Sequence, residues 1–207
     1  VTTKPVIFDA DNGGRVEHMH FTVKTLERIG VSAMIIEDKI GLKQNSLFAD
    51  QKKSLQDSIK EFSKKIQTAC KARRSKNFMV IARIESFILG KGLNDSLKRA
   101  IAYSKAGADA ILIHSKEKTP KEIFSFSNLF YKTKFYKPLV CVPSTYSAVT
   151  EKELIKNKFK VVIYANQMLR SAYPAMLNTA KIILKNKRSY HQEKKMTPIK
   201  EIISLVN

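Results

Sequence analysis

VSAMIIED, residues 31–38, is a nearly continuous apolar run that ends in two acids. A strand needs such a run when both of its faces are covered, as in a parallel sheet. Similar runs recur along the chain, and patterns of helical period separate them. Repeated strand–helix units predict a parallel α/β sheet, either doubly wound or closed into a barrel. The predicted strands cover residues 4–11, 31–38, 78–86, 108–115, 137–144 and 159–166.

Helical patterns fill the intervals between these runs. Asp50, Asn94 and Thr150 are predicted to cap helix starts, because their side chains accept hydrogen bonds from the first N–H groups of a helix. Gly30 and Gly107 stand where helices are expected to end. The predicted helices cover residues 17–29, 50–74, 93–106, 119–132, 150–157 and 167–187.

Every predicted strand ends in a polar residue, and this feature distinguishes the two sheet types. A doubly wound sheet gathers its functional groups mainly at one switch point, whereas all strands of a (β/α)₈ barrel deliver to one mouth. Polar ends on all six strands favour the TIM-like barrel, with its first two strand–helix units lacking from these 207 residues. The polar ends are Asp9 and Asp11, Glu37 and Asp38, Arg83 and Glu85, His114, Ser144 and Thr145, and Asn166.

The chain has a formal net charge of +20, from 38 Lys and Arg against 18 Asp and Glu. A nucleic-acid surface usually concentrates its cations on one face. Here lysines follow nearly every predicted helix and tryptophan is absent, which favours solvated helix faces over a nucleic-acid site. The same field would steer a small anionic substrate. No apolar stretch reaches the roughly 18 residues of a membrane span, and the isolated Cys70 and Cys141 suit a reducing cytoplasm.

Asp9 and Asp11 lie two residues apart at the end of the first predicted strand, so their side chains share one face. With Glu37 they form an all-oxygen set of the kind that Mg²⁺ prefers. The alternative is a turn in which Asp11 and Asn12 cap the chain before two glycines. Two acidic strand ends at one mouth favour the metal, so Mg²⁺ is the expected cofactor.

Arg83 and His114 are candidate substrate-binding residues at two other strand ends. An unpaired buried guanidinium is costly. Arg83 is therefore expected either to pair with Glu85 or another carboxylate, or to offer its planar fork to a carboxylate or phosphoryl group. His114 is either a hydrogen-bonded core histidine or a site residue. Their place at the mouth favours a site role for both.

The connection KIGLKQNS, residues 39–46, combines two cations, an amide and a hydroxyl. These groups are Lys39, Lys43, Asn45 and Ser46. Ordinary surface turns rely on Gly, Pro, Asn or Asp at special backbone angles. The chemistry of this connection is suited instead to holding an anion.

Six segments resemble, in order, the phosphoenolpyruvate mutase family of the isocitrate lyase superfamily. They are DADNG, IIEDKIGLKQNS, ARIESFILGKGLNDSLKRA, AGADAILIHS, VPSTY and VIYANQMLRSA. The resemblance runs from about Pro5 to the end and implies a modified (β/α)₈ barrel. It also implies the Mg²⁺-dependent interconversion of phosphoenolpyruvate and phosphonopyruvate, which makes a carbon–phosphorus bond. The family's first two strands, a phosphoryl-gripping loop and one acid of the metal shell have no counterpart here, so this chain alone is expected to be poorly active.

The resemblance implies a role for each candidate at the strand ends. Asp9 resembles the family's direct Mg²⁺ ligand, while Asp11 and Glu37 resemble acids that hold the metal through water. Arg83 and His114 resemble the cationic pair that binds the substrate.

The same resemblance places Lys43, Asn45 and Ser46 on a catalytic gating loop that closes over the bound anion and excludes water. Mutases place Asn at the position of Asn45, where the hydrolase relatives resemble Thr. Thr145 departs from some mutases, which carry Lys there, and this leaves the substrate range open.

Three alternative functions stay open at this point. Phosphonopyruvate hydrolase shares the fold, metal and substrate but uses water as acceptor. Carbon–carbon lyases of the superfamily carry a cysteine in the loop that corresponds to GLKQNS, and this chain has none there. An inactive basic barrel fragment that binds nucleic acid or a protein partner is the non-enzyme alternative.

The tail MTPIKEIISLVN, residues 196–207, is amphipathic and has a helix start at Thr197-Pro198. Because the superfamily exchanges its last helix between subunits, the resemblance implies a homodimer or homotetramer with this segment exchanged. Residues 1–207 are expected to form one partial barrel domain. Some mutases carry a fused nucleotidyltransferase, so a further domain before Val1 stays open.

Overall fold

The structure is a computed structural model that describes residues 3–41, Ser46 and residues 55–205. Each of the six runs predicted as strands contains one. The strands are β1 (Ile7–Asp9), β2 (Ala33–Glu37), β3 (Lys39–Ile40), β4 (Leu55–Gln56), β5 (Met79–Ile84), β6 (Ala110–Ile113), β7 (Leu139–Cys141) and β8 (Phe159–Val162).

The chain divides into two compact units. One is Pro5–Ile163, and the other joins Val1–Lys4 with Tyr164–Asn207. The expectation of one domain over residues 1–207 stays a prediction. Helices of the first unit are α1 (Met19–Arg28), α2 (Ile59–Ala72), α3 (Gly92–Lys105), α4 (Lys121–Tyr131) and α5 (Glu151–Lys156), and those of the second are α6 (Gln167–Asn186), α7 (Tyr190–Glu193) and α8 (Ile199–Ser204).

The main sheet has the order β1-β2-β5-β6-β7-β8, and every neighbouring pair is parallel. Its strands therefore follow one another in chain order, with a helix in each connection. This is the arrangement of repeated βα units. Within the described ranges, β1 and β8 are the two edges of the sheet. The prediction of a parallel α/β sheet is confirmed.

The two faces of this sheet have different neighbours. One face packs against the helices, where Ile36 and Val80 meet Phe62 and Tyr103 in the larger apolar cluster. The other face carries an apolar cluster built from strand residues, which we call the strand-only face. Its buried members are Ala33, Ile35, Ile81, Ala110, Leu112 and Val140.

Helix starts follow the sequence in one case and depart from it in another. Thr150 caps α5 in a full capping box with Glu153, as predicted. The prediction for Asn94 is wrong, because α3 begins two residues earlier and its N-cap is Lys91. Asn94 is thus inside the first turn of the helix, a position that its polarity also suits.

Gly30 and Gly107 end helices as predicted. Their φ angles of 84° and 110° lie in the left-handed region that glycine adopts without strain. At Gly107 a Cβ atom would also meet Cys70 Sγ at 3.3 Å. The backbone angle therefore favours glycine at both positions, and at Gly107 a Cβ atom would also have to displace the side chain of Cys70.

The predicted helix over residues 50–74 is too long at its start. Residues Leu55–Gln56 pair instead with Lys39–Ile40 as an antiparallel two-stranded sheet. The helix begins at Ile59, and the side chain of Ser58 accepts a hydrogen bond from the backbone N–H of Glu61. The predicted cap Asp50 lies outside the described residues.

The second unit is helical in its described part. The tail forms α8 directly after Pro198, close to the predicted helix start. No helix in the ranges that the structure describes combines the length and the apolar composition needed to cross a membrane.

Candidate active site

Polar side chains gather at the carboxyl ends of β2, β5 and β6, on the strand-only face. Register explains the grouping, because Glu37 pairs with Arg83, and Arg83 pairs with Leu112, two residues before His114. Parallel neighbours in register point to the same face. We call this group the carboxyl-edge cluster, and its members are Glu37, Lys39, Ser46, Arg83, Glu85 and His114.

Glu85 lies at the centre of the cluster and is 0% exposed. Its Oε1 accepts from Arg83 Nε at 2.6 Å and lies 2.9 Å from His114 Nδ1. Its Oε2 accepts from Ser46 Oγ at 2.6 Å and lies 3.7 Å from Lys39 Nζ. Burial by itself raises the pKa of Glu85, but the hydrogen bond from His114 and the charge of Arg83 outweigh it, so the pKa lies below its ordinary value.

Arg83 joins the two acids of the cluster. Its Nη2 lies 3.3 Å from Glu37 Oε2, donates to Ser46 Oγ at 3.1 Å and lies 2.9 Å from His114 Nδ1. Burial lowers the pKa of Arg83, whereas the charges of Glu85 and Glu37 raise it, and the net shift is upward. Of the two alternatives for Arg83, the pairing with Glu85 is present in the structure, while a role toward the substrate stays a prediction.

His114 is the member of the cluster whose charged form is disfavoured by its surroundings. Burial lowers the pKa of its imidazole, and the nearby charge of Arg83 adds to this, while the hydrogen bond with Glu85 opposes it. The net shift is downward, so the ring is uncharged at neutral pH. A single Nδ1 cannot both donate to Glu85 and accept from Arg83. With the Nδ1 proton directed at Glu85, the contact with Arg83 is a close approach and not a hydrogen bond.

The formal charges within the cluster cancel. Glu37 and Glu85 carry two negative charges, and Lys39 and Arg83 carry two positive ones. Lys39 Nζ is 3.6 Å from Glu37 Oε1 and donates to Ser46 Oγ at 2.9 Å. An entering anion would therefore have to draw the cations from their acids or arrive with additional positive charge.

The three predicted metal ligands lie near one another in the sheet but differ in setting. Asp9 ends β1, is exposed, and is close enough to Arg83 to contribute to its raised pKa. Its Oδ1 accepts the backbone N–H of Asp11 at 3.1 Å, and the carbonyl of Asp11 accepts the N–H of Glu37 at 2.7 Å. Among residues 3–41, 46 and 55–205, no group of three His, Cys, Asp or Glu side chains is arranged to hold a metal ion. The ligand set therefore stays a prediction.

The alternative of a turn at this position has structural support. Asp11 has a φ of 52°, and Asn12 Oδ1 accepts the N–H of Gly14 at 2.9 Å. Such a turn does not exclude a metal role, since the carboxylate of Asp9 is at the same strand end.

Ser46 belongs to the cluster, whereas Lys43 and Asn45 lie outside the described residues. The roles of Lys43 and Asn45 thus stay predictions from sequence.

Sequence reasoning named Lys39 as a cation of the connection but missed its burial within the cluster, and it missed the residues that support the cluster from behind. Lys39 is 4% exposed because it is the inward residue of β3, a strand too short to show a pattern. Arg99 and Tyr103 bind Asp38 from α3. A signal for Arg99 was available, since it lies four residues before Tyr103 on the same helix face, and a cation on a buried helix face needs a partner.

A polar cluster at the carboxyl ends of adjacent parallel strands is typical of α/β enzymes, both barrels and doubly wound sheets. The comparisons agree. The model of the phosphoenolpyruvate phosphomutase family matches residues 1–184. A phosphoenolpyruvate phosphomutase of Tetrahymena pyriformis is 38% identical over 205 residues, covering 99% of this chain and 67% of that protein. This chain therefore belongs to the phosphoenolpyruvate phosphomutase family.

Solved structures show the same relationship in three dimensions. The crystal structure of phosphoenolpyruvate phosphomutase from Streptomyces platensis subsp. rosaceus has a TM-score of 0.92 at 36% identity, covering 99% of this chain and 70% of that one. A phosphonopyruvate hydrolase in complex with oxalate and Mg²⁺ has a TM-score of 0.87, also at 36% identity, covering 99% and 69%. The chain spans about two thirds of the length of these relatives.

Proposed function

We propose that this chain carries the catalytic face of a mutase that interconverts phosphoenolpyruvate and phosphonopyruvate. The observation that carries the proposal is the carboxyl-edge cluster, placed on a chain that matches the family model over residues 1–184. The family match supplies the reaction, and the cluster supplies groups suited to an anionic substrate. Arg83 would bind a carboxylate or phosphoryl group through its planar fork, with Ser46 and Lys39 beside it.

Mg²⁺ is the cofactor proposed here, because carboxylate oxygens are the ligands that it prefers. The cluster is formally neutral, so a multiply charged anion needs positive charge from elsewhere, and a hard cation on carboxylate oxygens would supply it. Asp9, Asp11 and Glu37 are the residues proposed to hold it, either directly or through water. When bound, Mg²⁺ would neutralise charge on the substrate oxygens. That the related hydrolase binds oxalate and Mg²⁺ supports this choice.

Within this proposal the side chains position the substrate more than they react with it. His114 is neutral and buried beside Arg83, so it would orient a substrate oxygen by hydrogen bonding. Lys43 and Asn45 are proposed, from the resemblance alone, to close over the phosphoryl group and exclude water. Positioning and a fixed electrostatic environment are the main requirements of phosphoryl transfer.

Phosphonopyruvate hydrolase is the second candidate, because a hydrolase is as similar in sequence, at 36%, as a mutase. Phosphorus NMR of the full-length protein, with the family's first two strand–helix units present, separates them when phosphonopyruvate and Mg²⁺ are added. We expect phosphoenolpyruvate to appear. Inorganic phosphate together with pyruvate as the main products would make the hydrolase correct, and no turnover of either kind would contradict both.

We also propose that the sheet completes an eight-stranded barrel with two further strand–helix units. The open edge of β1 supports this, since Ile7 and Phe8 are 39% and 45% exposed there. A homodimer or homotetramer with residues 196–207 exchanged is likewise proposed, supported by exposed apolar residues such as Leu205 on the tail. Light scattering after size-exclusion chromatography tests the assembly, and a monomer would contradict it. A cytoplasmic location stays a prediction.

A further inference from the structure

A second buried polar group lies behind the carboxyl-edge cluster, on the side of the sheet that the helices cover. We call it the Asp38 network. It connects the end of β2 to β4, to α3 and to the segment after β5. Its members are Asp38, Gln56, Asp57, Ser86, Asp95, Arg99 and Tyr103.

Asp38 is the hub of this network and is 0% exposed. Its Oδ2 accepts from Tyr103 OH at 2.8 Å, from Gln56 Nε2 at 2.9 Å and from Arg99 Nη1 at 3.1 Å. Its Oδ1 accepts the backbone N–H of Glu85 at 2.9 Å. A buried carboxylate with this many donors has a fixed position, because each donor constrains it from a different direction.

The backbone of Asp38 is held as well. Its N–H donates to the carbonyl of Arg83 at 3.1 Å, and its own carbonyl accepts the N–H of Asp57 at 2.7 Å. The carbonyl of Asp57 in turn accepts from Arg99 Nη1 at 2.8 Å. One residue therefore joins the ends of β2 and β5 to the segment that follows β4.

Arg99 is the residue that links these contacts from outside the sheet. Besides Asp38 and Asp57, it donates through Nε to Asp95 at 2.8 Å, and Tyr103 OH lies 2.8 Å from the same Nη1, whose two hydrogens are shared among three acceptors. A lysine could not reproduce this, since it lacks the planar fork that donates in several fixed directions.

We propose that Arg99 and Tyr103 are positioning residues for the carboxyl-edge cluster. They hold Asp38, and Asp38 fixes the backbone on which Glu37 and Glu85 stand. Glu37 is the chain neighbour of Asp38, and Glu85 donates its own amide to it. The positions of the charged groups that face a substrate therefore depend on α3, although α3 carries none of these groups. The part of this inference that concerns turnover rests on the proposed function.

The stability of the fold does not by itself explain why this buried polar network is present. Replacing a buried ion pair by apolar side chains of similar volume is often neutral or stabilising, because the charges lose their hydration when buried. Removing one member alone does lower the free energy of unfolding, because its partner is left buried without a counterpart. The contribution of Arg99 and Tyr103 is therefore expected in the geometry of the cluster as well as in stability.

Tyr103→Phe tests the inference, because it removes one hydroxyl and keeps the ring that packs on Phe62. The matched control is Tyr136→Phe, which removes a hydroxyl that donates to the carbonyl of Lys158 at 3.1 Å. Hydrogen exchange is measured at the amides of Asp57 and Glu85, both of which donate to Asp38. Exchange does not depend on which reaction the protein catalyses.

We expect Tyr103→Phe to speed exchange at both amides by about tenfold, the effect of one net hydrogen bond. In the phosphorus NMR assay, kcat should fall about tenfold with KM changed less than twofold, because substrate contacts are intact. Tyr136→Phe should change neither the exchange rates of these amides nor kcat. Arg99→Lys should also speed exchange at both amides and lower kcat, because a lysine cannot replace the contacts of the guanidinium.

Unchanged exchange at Asp57 and Glu85 in Tyr103→Phe would overturn the inference, as would equal effects from Tyr136→Phe. Faster exchange with unchanged kcat would also overturn it, because the network would then serve the fold alone. If the full-length wild-type protein converted phosphonopyruvate to neither product, the proposed function would fail, and the exchange result would still decide whether the network fixes these amides.

Discussion

At the scale of single residues, Glu85 has the largest expected effect. It is fully buried, and in the described residues it meets Arg83, His114, Ser46 and Lys39 at once. Glu85→Gln keeps the size of the side chain but removes its charge and places an N–H₂ group where an acceptor is needed. Misplaced catalytic groups typically cost on the order of 100-fold.

We expect Glu85→Gln to lower kcat by about that factor, measured by phosphorus NMR with phosphonopyruvate. Glu117→Gln is the control, since Glu117 is an exposed acid just beyond the end of β6. Activity within twofold of wild type in Glu85→Gln would show that Arg83 and His114 hold their positions without this acid.

The lowered pKa of Glu85 gives a prediction for stability against pH. In the folded state burial raises the pKa of Glu85, but the opposite effects of His114, Arg83 and Ser46 are larger in sum. The pKa therefore lies below the ordinary value of 4.5. The unfolded chain therefore takes up a proton first as pH falls. The contribution of Glu85 is fully present above about pH 5 and is lost as pH falls through 4.5 and below.

Urea unfolding of wild type and Glu85→Gln measures this contribution as a difference. The gap in the free energy of unfolding should be largest near neutral pH and narrow between pH 5 and pH 3.5. A gap that is constant or grows over that range would mean that the Glu85 carboxylate does not hold a lowered pKa.

At the scale of elements, the capping box of α5 is expected to contribute to the free energy of unfolding of the protein. Thr150 accepts the N–H of Glu153, whose carboxylate returns to the N–H of Thr150 at 2.8 Å. The short helix that follows buries Leu154, which is 1% exposed. Thr150→Ala should therefore lower the free energy of unfolding by about 1 kcal/mol.

Thermal or urea unfolding measures this loss, with Thr68→Ala as control. Thr68 lies inside α2, where its hydroxyl accepts no cap N–H and donates to the carbonyl of Lys64. Alanine favours a helix interior, so the control should be neutral or slightly stabilising. An equal decrease in the free energy of unfolding in the two variants would show that the cap at Thr150 has no particular stabilising effect.

The elements also show what sequence could and could not predict. Strands such as Ala110–Ile113 were predictable, since their continuous apolar runs have no exposed face to satisfy. The pairing of Lys39–Ile40 with Leu55–Gln56 was not, because two-residue strands carry no periodicity and their contact spans a long connection. That missed pairing is also why the helix start was placed too early and Lys39 was left as a loop cation.

The candidate site followed the same division. Arg83 and His114 were predictable because each ends a clear strand, and the topology of a parallel sheet brings strand ends together. The partners that set their charge states were harder to predict. Whether Arg83 would contact Glu85 or a substrate depends on the geometry of the side chains. The order of residue types in the sequence does not give that geometry.

At the scale of the whole molecule, β1 leaves an apolar sheet edge in the described residues. Phe8 is 45% exposed in a strand whose described neighbour is β2. An open edge of this kind promotes association with other strands. We expect this 207-residue chain to self-associate with rising concentration, and Phe8→Lys to reduce this, measured by light scattering.

Phe21→Lys is the control for this prediction. Phe21 is 63% exposed, but it lies on α1 and has no free strand beside it. If both lysine variants reduce association equally, net charge rather than the strand edge is responsible. If neither does, the edge of β1 is not the site of association.

The order of the main sheet has a consequence for how the protein is made. Because β1, β2, β5, β6, β7 and β8 pair in the order of the chain, each new strand needs a partner that has already left the ribosome. Domains begin to fold during synthesis, at about 5–20 residues per second, from the N-terminal side. The sheet can therefore grow one strand at a time on the nascent chain. The carboxyl-edge cluster would be completed when β6 emerges with His114, well before translation ends.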